Sequence, residues 1–163
     1  MHSIITLILL FRCQLQLNKD HLLFDSQFEC GNLRKAIQVT DEEYDLILRP
    51  DVNTFRYHQW FYFEVSNMRH DLTYRFNIIN FEKANSQFNS GMQPVMFSVR
   101  EAINGKPYWR RIGERVSYYK NTYGKKKKIF FTLTFHIRFP YGNDICYIAY
   151  HYPYTYTSLM VNE

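Results

Sequence analysis

The residues of this 163-residue chain with the clearest capacity for chemistry are four consecutive lysines, six histidines and three cysteines. Lys125, Lys126, Lys127 and Lys128 concentrate positive charge. Such a run attracts a polyanion, an acidic peptide tail or nucleic acid, through a long-range, salt-sensitive field. The plainer role, and the commoner one, is a solvated loop that keeps a sheet edge soluble. A hydrolytic zinc site needs three protein ligands, usually two of them from one short motif. The histidines are His2, His21, His58, His70, His136 and His151; none has Glu three residues on, and none has His four residues on. The nearest acid after His58 is Glu64, on the same parity of a predicted strand and so about 20 Å away at ~3.3 Å per residue. His136 shares the polar parity of a strand with Arg138 and reads as a solvent-facing or hydrogen-bonded structural residue. His151 lies among tyrosines just before Pro153 and reads as packing at one end of the fold.

Nucleophilic chemistry is equally unsupported. No G-x-S-x-G occurs. Cys146 falls in an apolar strand, where a thiol is inert core rather than a reactive group. Neither Gly105-Lys106 nor Gly124-Lys125 completes a phosphate-binding loop, because Arg100 and Tyr119 stand where the first glycine belongs. Cys13, Cys30 and Cys146 are odd in number and lack a CxxC pair, a pattern of unpaired thiols in a reducing compartment. The excess of 20 basic over 15 acidic residues, a net +5, mildly favours acidic partners. The residues therefore predict a chain that is inactive on its own and binds no zinc.

The elements that must position these groups are strands. Phe131, Leu133, Phe135, Ile137 and Phe139 alternate with Thr132, Thr134, His136 and Arg138, the period-2 signature of a strand with one buried face. Turn chemistry at residues 140–144 and an apolar run at 145–150 predict an antiparallel hairpin. Upstream, residues 33–39 predict a strand with Leu33, Lys35, Ile37 and Val39 on one parity. Residues 44–48 predict a second, 57–65 a central strand covered on both faces, 74–79 another, and 95–99 a short one. Residues 108–112 and 116–120 predict a further pair around Gly113-Glu114. Residues 81–94, rich in Asn, Ser and Gly, predict a long ordered loop, a length that is often functional or pinned by its own side chains. No segment sustains a 3.6 period. The fold class predicted is all-β, a single-domain antiparallel β-sandwich, and the length suits one domain with a real core. The apolar run at residues 4–11 is too short to span a bilayer and lacks a basic n-region or cleavage site.

Five runs, FDSQFECGNLRKA (24–36), HQWFYFEVSNM (58–68), YRFNIINFEKANSQFNSGMQP (74–94), WRRIGERVSYYKN (109–121) and DICYIAYHYPYTYTSL (144–159), occur in this order. Together they closely resemble the amino-terminal domain of the cytosolic carboxypeptidases, zinc metallocarboxypeptidases that remove glutamates from tubulin and other proteins. The resemblance implies an unplaced segment at residues 1–23, a β-sandwich at 24–152 and the start of a linker at 153–163. It also implies an α/β catalytic domain beyond this chain, which carries the zinc, so that no catalytic or metal residue transfers to any position here. The chain is then expected to be a fragment or truncated form, cytoplasmic, with its own catalytic domain and glutamate-rich acidic tails such as tubulin's as partners, and with neither membrane nor nucleic acid. Exposed apolar surface is expected where the partner domain packs, and the loop at 81–94 is expected to contact that domain. The alternative reading is a free-standing β-sandwich module that binds an acidic peptide or nucleic acid through the lysine run.

Overall fold

The computed structural model describes residues 21–123 and 129–161. Among these, ten strands form two five-stranded sheets that face each other across one core. The first sheet orders β1 (Leu23–Asp25), β4 (Tyr62–Ser66), β10 (Ile145–Ala149), β6 (Val95–Ser98) and β7 (Arg110–Arg111). The second orders β2 (Leu33–Gln38), β3 (Glu43–Leu48), β5 (Thr73–Phe81), β9 (Phe130–Arg138) and β8 (Glu114–Asn121). Two short helices, α1 (Val99–Ile103) and α2 (Tyr156–Val161), complete the described elements with a 3-10 turn at Gln87–Ser90. This is the all-β sandwich that the alternation predicts. One pair departs from antiparallel order: β3 and β5 run parallel, because the chain crosses to the first sheet as β4 between them.

The inward faces explain why these residues form these strands. Tyr44, Leu46 and Leu48 of β3, Tyr74, Phe76 and Ile78 of β5, and Leu133, Phe135 and Ile137 of β9 are buried at every second position. They meet Phe63 and Val65 of β4, Cys146 and Ile148 of β10 and Met96 of β6 in one cluster. Phe76 stands edge-on to Phe135 at 5.6 Å between ring centroids, and Phe24 of β1 stands edge-on to Phe76 at 5.7 Å. Edge-to-face aromatic pairs of this kind add to the stabilisation from area burial.

The structure overturns three local expectations. The strands β9 and β10 do not form a hairpin: β9 lies in the second sheet between β5 and β8, and β10 lies in the first between β4 and β6. The connection is an arch, and Asp144 fixes it. This buried carboxylate accepts hydrogen bonds from Ser98 Oγ at 2.5 Å, Arg100 N at 3.0 Å and Ile145 N at 2.7 Å, which ties the arch to the corner between β6 and α1. Residues 108–112 and 116–120 likewise fail to pair, since β7 and β8 belong to opposite sheets and the chain turns between them at Gly113, with φ +100°. In β2 a bulge between Leu33 and Lys35 reverses the parity. Leu33 faces in as expected, but Ala36 then replaces Lys35 and Ile37 on the inner side.

Two further expectations are trimmed rather than reversed. The central strand predicted over 57–65 is instead Tyr62–Ser66, and Tyr57, with φ +68°, is exposed. The expected loop at 81–94 is ordered by its own residues. Phe88 is buried against Phe61 and Tyr150, Gln93 Nε2 donates to Gly113 O at 2.7 Å, and Tyr118 OH donates to Lys83 O. At the amino-terminal side, Leu22 is already buried in the core.

The outer face of the second sheet is polar yet closed. Thr132 and Thr134 are only 2% and 3% exposed, so half of the polar parity of β9 is shut off from water, while His136 is half-buried and Arg138 exposed. Thr134 Oγ1 donates to Asn77 Oδ1 at 2.8 Å, and Asn77 Nδ2 donates to Glu43 Oε1 at 2.8 Å and Asp45 Oδ1 at 2.9 Å. Asn121 Nδ2 reaches Thr132 Oγ1 at 2.8 Å and Ile79 O at 2.7 Å, while Tyr119 OH lies 3.1 Å from Thr134 Oγ1. Buried polar groups are tolerable when each has a partner.

Candidate docking surface

The most exposed apolar surface gathers where the chain enters β4 and leaves β10. It is built from the turn upward. Cys30 takes a left-handed conformation, φ +64°, and its carbonyl accepts from Trp60 Nε1 at 3.0 Å. Asn32 then clamps the backbone on either side of Phe61, with Nδ2 donating to Trp60 O at 2.7 Å and Oδ1 accepting from Tyr62 N at 3.0 Å. Gly31 is packed so closely against Ser26 O that a Cβ there would lie 2.5 Å away. The turn therefore holds Trp60 in one orientation. Beside it lies an open hollow of about 610 Å³ lined by Cys30, Pro50, Val52, Trp60, Tyr152 and Tyr154 among others. Val52 is 87% exposed, and Phe55, 94% exposed, lines a second hollow with Ile47, His58 and Tyr123.

The exit helix extends this rim. Thr155 Oγ1 caps α2 by accepting from Ser158 N at 3.1 Å, and Glu29 Oε1 accepts from Thr157 N at 3.1 Å. The bond from the Thr157 backbone is the main reason that the Glu29 carboxyl is held below its ordinary range. Although α2 is held at its start, Tyr156, Leu159, Met160 and Val161 stay exposed. Grouped hydrophobic surface is the kind from which interaction sites are commonly made.

The residues that sequence reasoning singled out do not assemble. Lys125, Lys126, Lys127 and Lys128 lie outside the described residues. His58 is buried with Nδ1 3.7 Å from Glu82 Oε1, His151 is exposed edge-on to Tyr152, and half-buried His136 has no hydrogen-bond partner at Nδ1. Among the described residues no group of three or more His, Cys, Asp and Glu is placed to hold a metal ion. Cys146 is fully buried, and desolvation first, then the Asp144 carboxylate, pushes its thiol far above the ordinary range. It is core, as its strand position predicts. Trp60, Tyr152 and Tyr154 were missed as site residues; the signal was the tyrosine-proline run HYPYTY, which follows a strand but has no alternation left to bury it.

A two-sheet sandwich of this topology belongs to a fold found within solved carboxypeptidases. A putative carboxypeptidase A from Shewanella denitrificans matches with a TM-score of 0.57 at 23% identity, over 85% of this chain and 31% of that one. A metallo-carboxypeptidase from Pseudomonas aeruginosa matches with a TM-score of 0.57 at 23% identity, over 85% of this chain and 32% of its own. At sequence level the match is specific. The model of the cytosolic carboxypeptidase N-terminal domain matches residues 24–151, and the chain belongs to this family. It is 56% identical to mouse cytosolic carboxypeptidase 1 over 151 residues, and 56% identical to human cytosolic carboxypeptidase 4 over 149. Those matches cover 88% and 86% of this chain but only 12% and 13% of the relatives, so the chain spans about an eighth of their length. Among the described residues no helix is long and apolar enough to cross a membrane.

Proposed function

We propose that this chain serves as the amino-terminal, non-catalytic β-sandwich of a cytoplasmic zinc carboxypeptidase that removes glutamates from tubulin and other proteins. Its partner is the catalytic domain of that enzyme, which it supports through the rim formed by Trp60, Tyr152, Tyr154 and the exposed face of α2. When bound in that domain, zinc supplies Lewis acidity to a water molecule; the sandwich contributes no group to that step. The observation that carries this reading is an exposed aromatic rim at the outlet of a domain whose relatives are about eight times longer. The lysine run at 125–128 is proposed to draw acidic tails toward the site by its field, an effect that falls with ionic strength.

The test replaces the matched residues of mouse cytosolic carboxypeptidase 1 with this chain. The chimera is expected to release glutamate from a glutamate-ended peptide, and Tyr152→Ser with Tyr154→Ser is expected to lower its yield of folded enzyme. A chimera that folds and cleaves equally well with and without the sandwich ends the supporting role. Alanine at all four lysines is expected to raise KM for a long acidic peptide at low salt only. The isolated chain is expected to release no glutamate and to retain no stoichiometric zinc after dialysis.

A further inference from the structure

We propose that the groove between β1 and β2 binds an extended peptide of alternating acidic and small apolar residues by strand addition. This site is separate from the aromatic rim and does not rest on the docking role proposed for it. On this side of the sandwich both sheets end among the described residues. Among the described strands β1 pairs only with β4, and β2 pairs only with β3. Edge strands offer a row of backbone donors and acceptors to any segment of the right shape.

Two cross-links hold the edges apart at a fixed width. Ser26 Oγ donates to Leu33 O at 2.7 Å at one end, and Leu22 N donates to Tyr44 OH at 2.9 Å at the other. Between them lies a groove of about 380 Å³ whose floor is Phe24, Ala36 and Tyr44. The bulge in β2 makes this floor, because it brings Ala36 inward in place of the Lys35 and Ile37 that an unbroken alternation would supply. Ala36 is small enough to leave depth for a guest side chain. A second observation sets the chemistry of the guest. Arg34, Lys35 and Arg49, all exposed, rim the groove or its β2 wall. The acid in it, Asp25, already accepts from Ser26 N at 2.7 Å and Gln27 N at 2.9 Å through Oδ1. A strand that places apolar side chains on Ala36 and carboxylates on the rim satisfies both.

The same bulge and lysine are devices that blunt an edge against indiscriminate pairing. Selectivity against uncharged strands follows: only a guest with carboxylates at alternate positions offsets the cost of bringing a chain beside Arg34 and Lys35. Six residues of β2 accommodate a guest of about six residues, roughly 20 Å when extended.

The experiment uses the full 163-residue chain and a fluorescein-labelled (Glu-Val)5 peptide, read by anisotropy and by amide hydrogen exchange. Saturable binding is expected, with exchange slowed across Arg34 to Gln38. Arg34→Glu with Lys35→Glu, both on the surface, is expected to weaken it more than about tenfold. The unaltered chain supplies a second arm: N-methylation of alternate amides in the peptide is expected to weaken binding by about as much, because it removes the strand's bonds. Alanine at residues 125–128, and Tyr152→Ser with Tyr154→Ser, are expected to leave binding unchanged, which separates this site from the lysine run and the rim. Equal binding of (Lys-Val)5, equal binding of decaglutamate, or exchange protection located at Trp60 and Tyr154 instead of β2 overturns the proposal.

Discussion

The outer face of the second sheet and the aromatic rim are both surface, yet they are finished to different degrees. On the sheet, Asn77, Thr132, Thr134, Tyr119 and Asn121 satisfy one another and the carboxylates of Glu43 and Asp45. At the rim, Trp60 has its indole N–H satisfied by Cys30 O and the Tyr152 ring meets His151 and the Arg111 guanidinium on its flanks, but Tyr152, Tyr154 and Val52 remain largely exposed. The first region has spent its polar capacity internally and offers little to a partner. The second is held in shape by the polar clamps beneath it while its apolar surface remains uncovered. Surface that is rigid underneath and unsatisfied on top is what docking requires, because little side-chain order has to be imposed on binding.

The largest expected effect sets the rim against the core behind it and is chemical. In a Cys13→Ser background, Cys30 at the rim is expected to be alkylated in the native chain, slowly, because partial burial and then the Glu29 charge raise its thiol. Cys146 is expected to stay unmodified until the protein unfolds, and mass spectrometry of the labelled peptides distinguishes the two. Equal labelling of both would mean that the core of the first sheet opens readily. Next in size, Asn77→Leu removes the bonds that Asn77 makes to Thr134, Glu43 and Asp45 and is expected to cost about 1–3 kcal/mol in denaturant unfolding.

A smaller and local effect concerns pH. Because the Glu29 carboxyl is held below its ordinary range by the Thr157 N–H, its contribution is fully present above the unfolded value and is lost as pH falls through the lowered one. Acidification is therefore expected to release the start of α2 while the sandwich persists, seen as loss of exchange protection at Thr157. Glu29→Gln should flatten that response. Smallest of all, Tyr152→Ser with Tyr154→Ser should change the stability of the isolated chain by no more than ~0.5 kcal/mol, since neither ring is buried. A large loss there would mean that the rim serves its own fold rather than a neighbour.

How far these regions were legible in the sequence follows from what periodicity encodes. The alternation of Phe131 to Phe139 identifies the buried face of β9 correctly, because side-chain direction is set by the strand itself. Partner choice is not set locally. The turn at residues 140–144 suits a hairpin and an arch equally, and what selects the arch is Asp144 meeting Ser98 and Arg100, 46 and 44 residues away. The bulge at Arg34 shifts the parity of β2 through a single extra residue, which no pattern of apolar positions announces. The closed polar face escaped for a related reason: Thr132 and Thr134 read as solvent-facing until Asn77 and Asn121 are brought beside them by pairing. The rim is built from tyrosine and tryptophan, types that a core buries as readily, whereas the lysine run, the strongest charge feature of the sequence, lies outside the described residues.

One bond described above also bears on the order in which the molecule comes together. Thr157 N–H and Glu29 sit 128 positions apart, yet together they aim the outlet helix. During synthesis on the ribosome the first half of this pair emerges long before the second, so every strand between them can settle first. The heading of the outlet helix can then be fixed late, by a latch thrown across strands that have already formed.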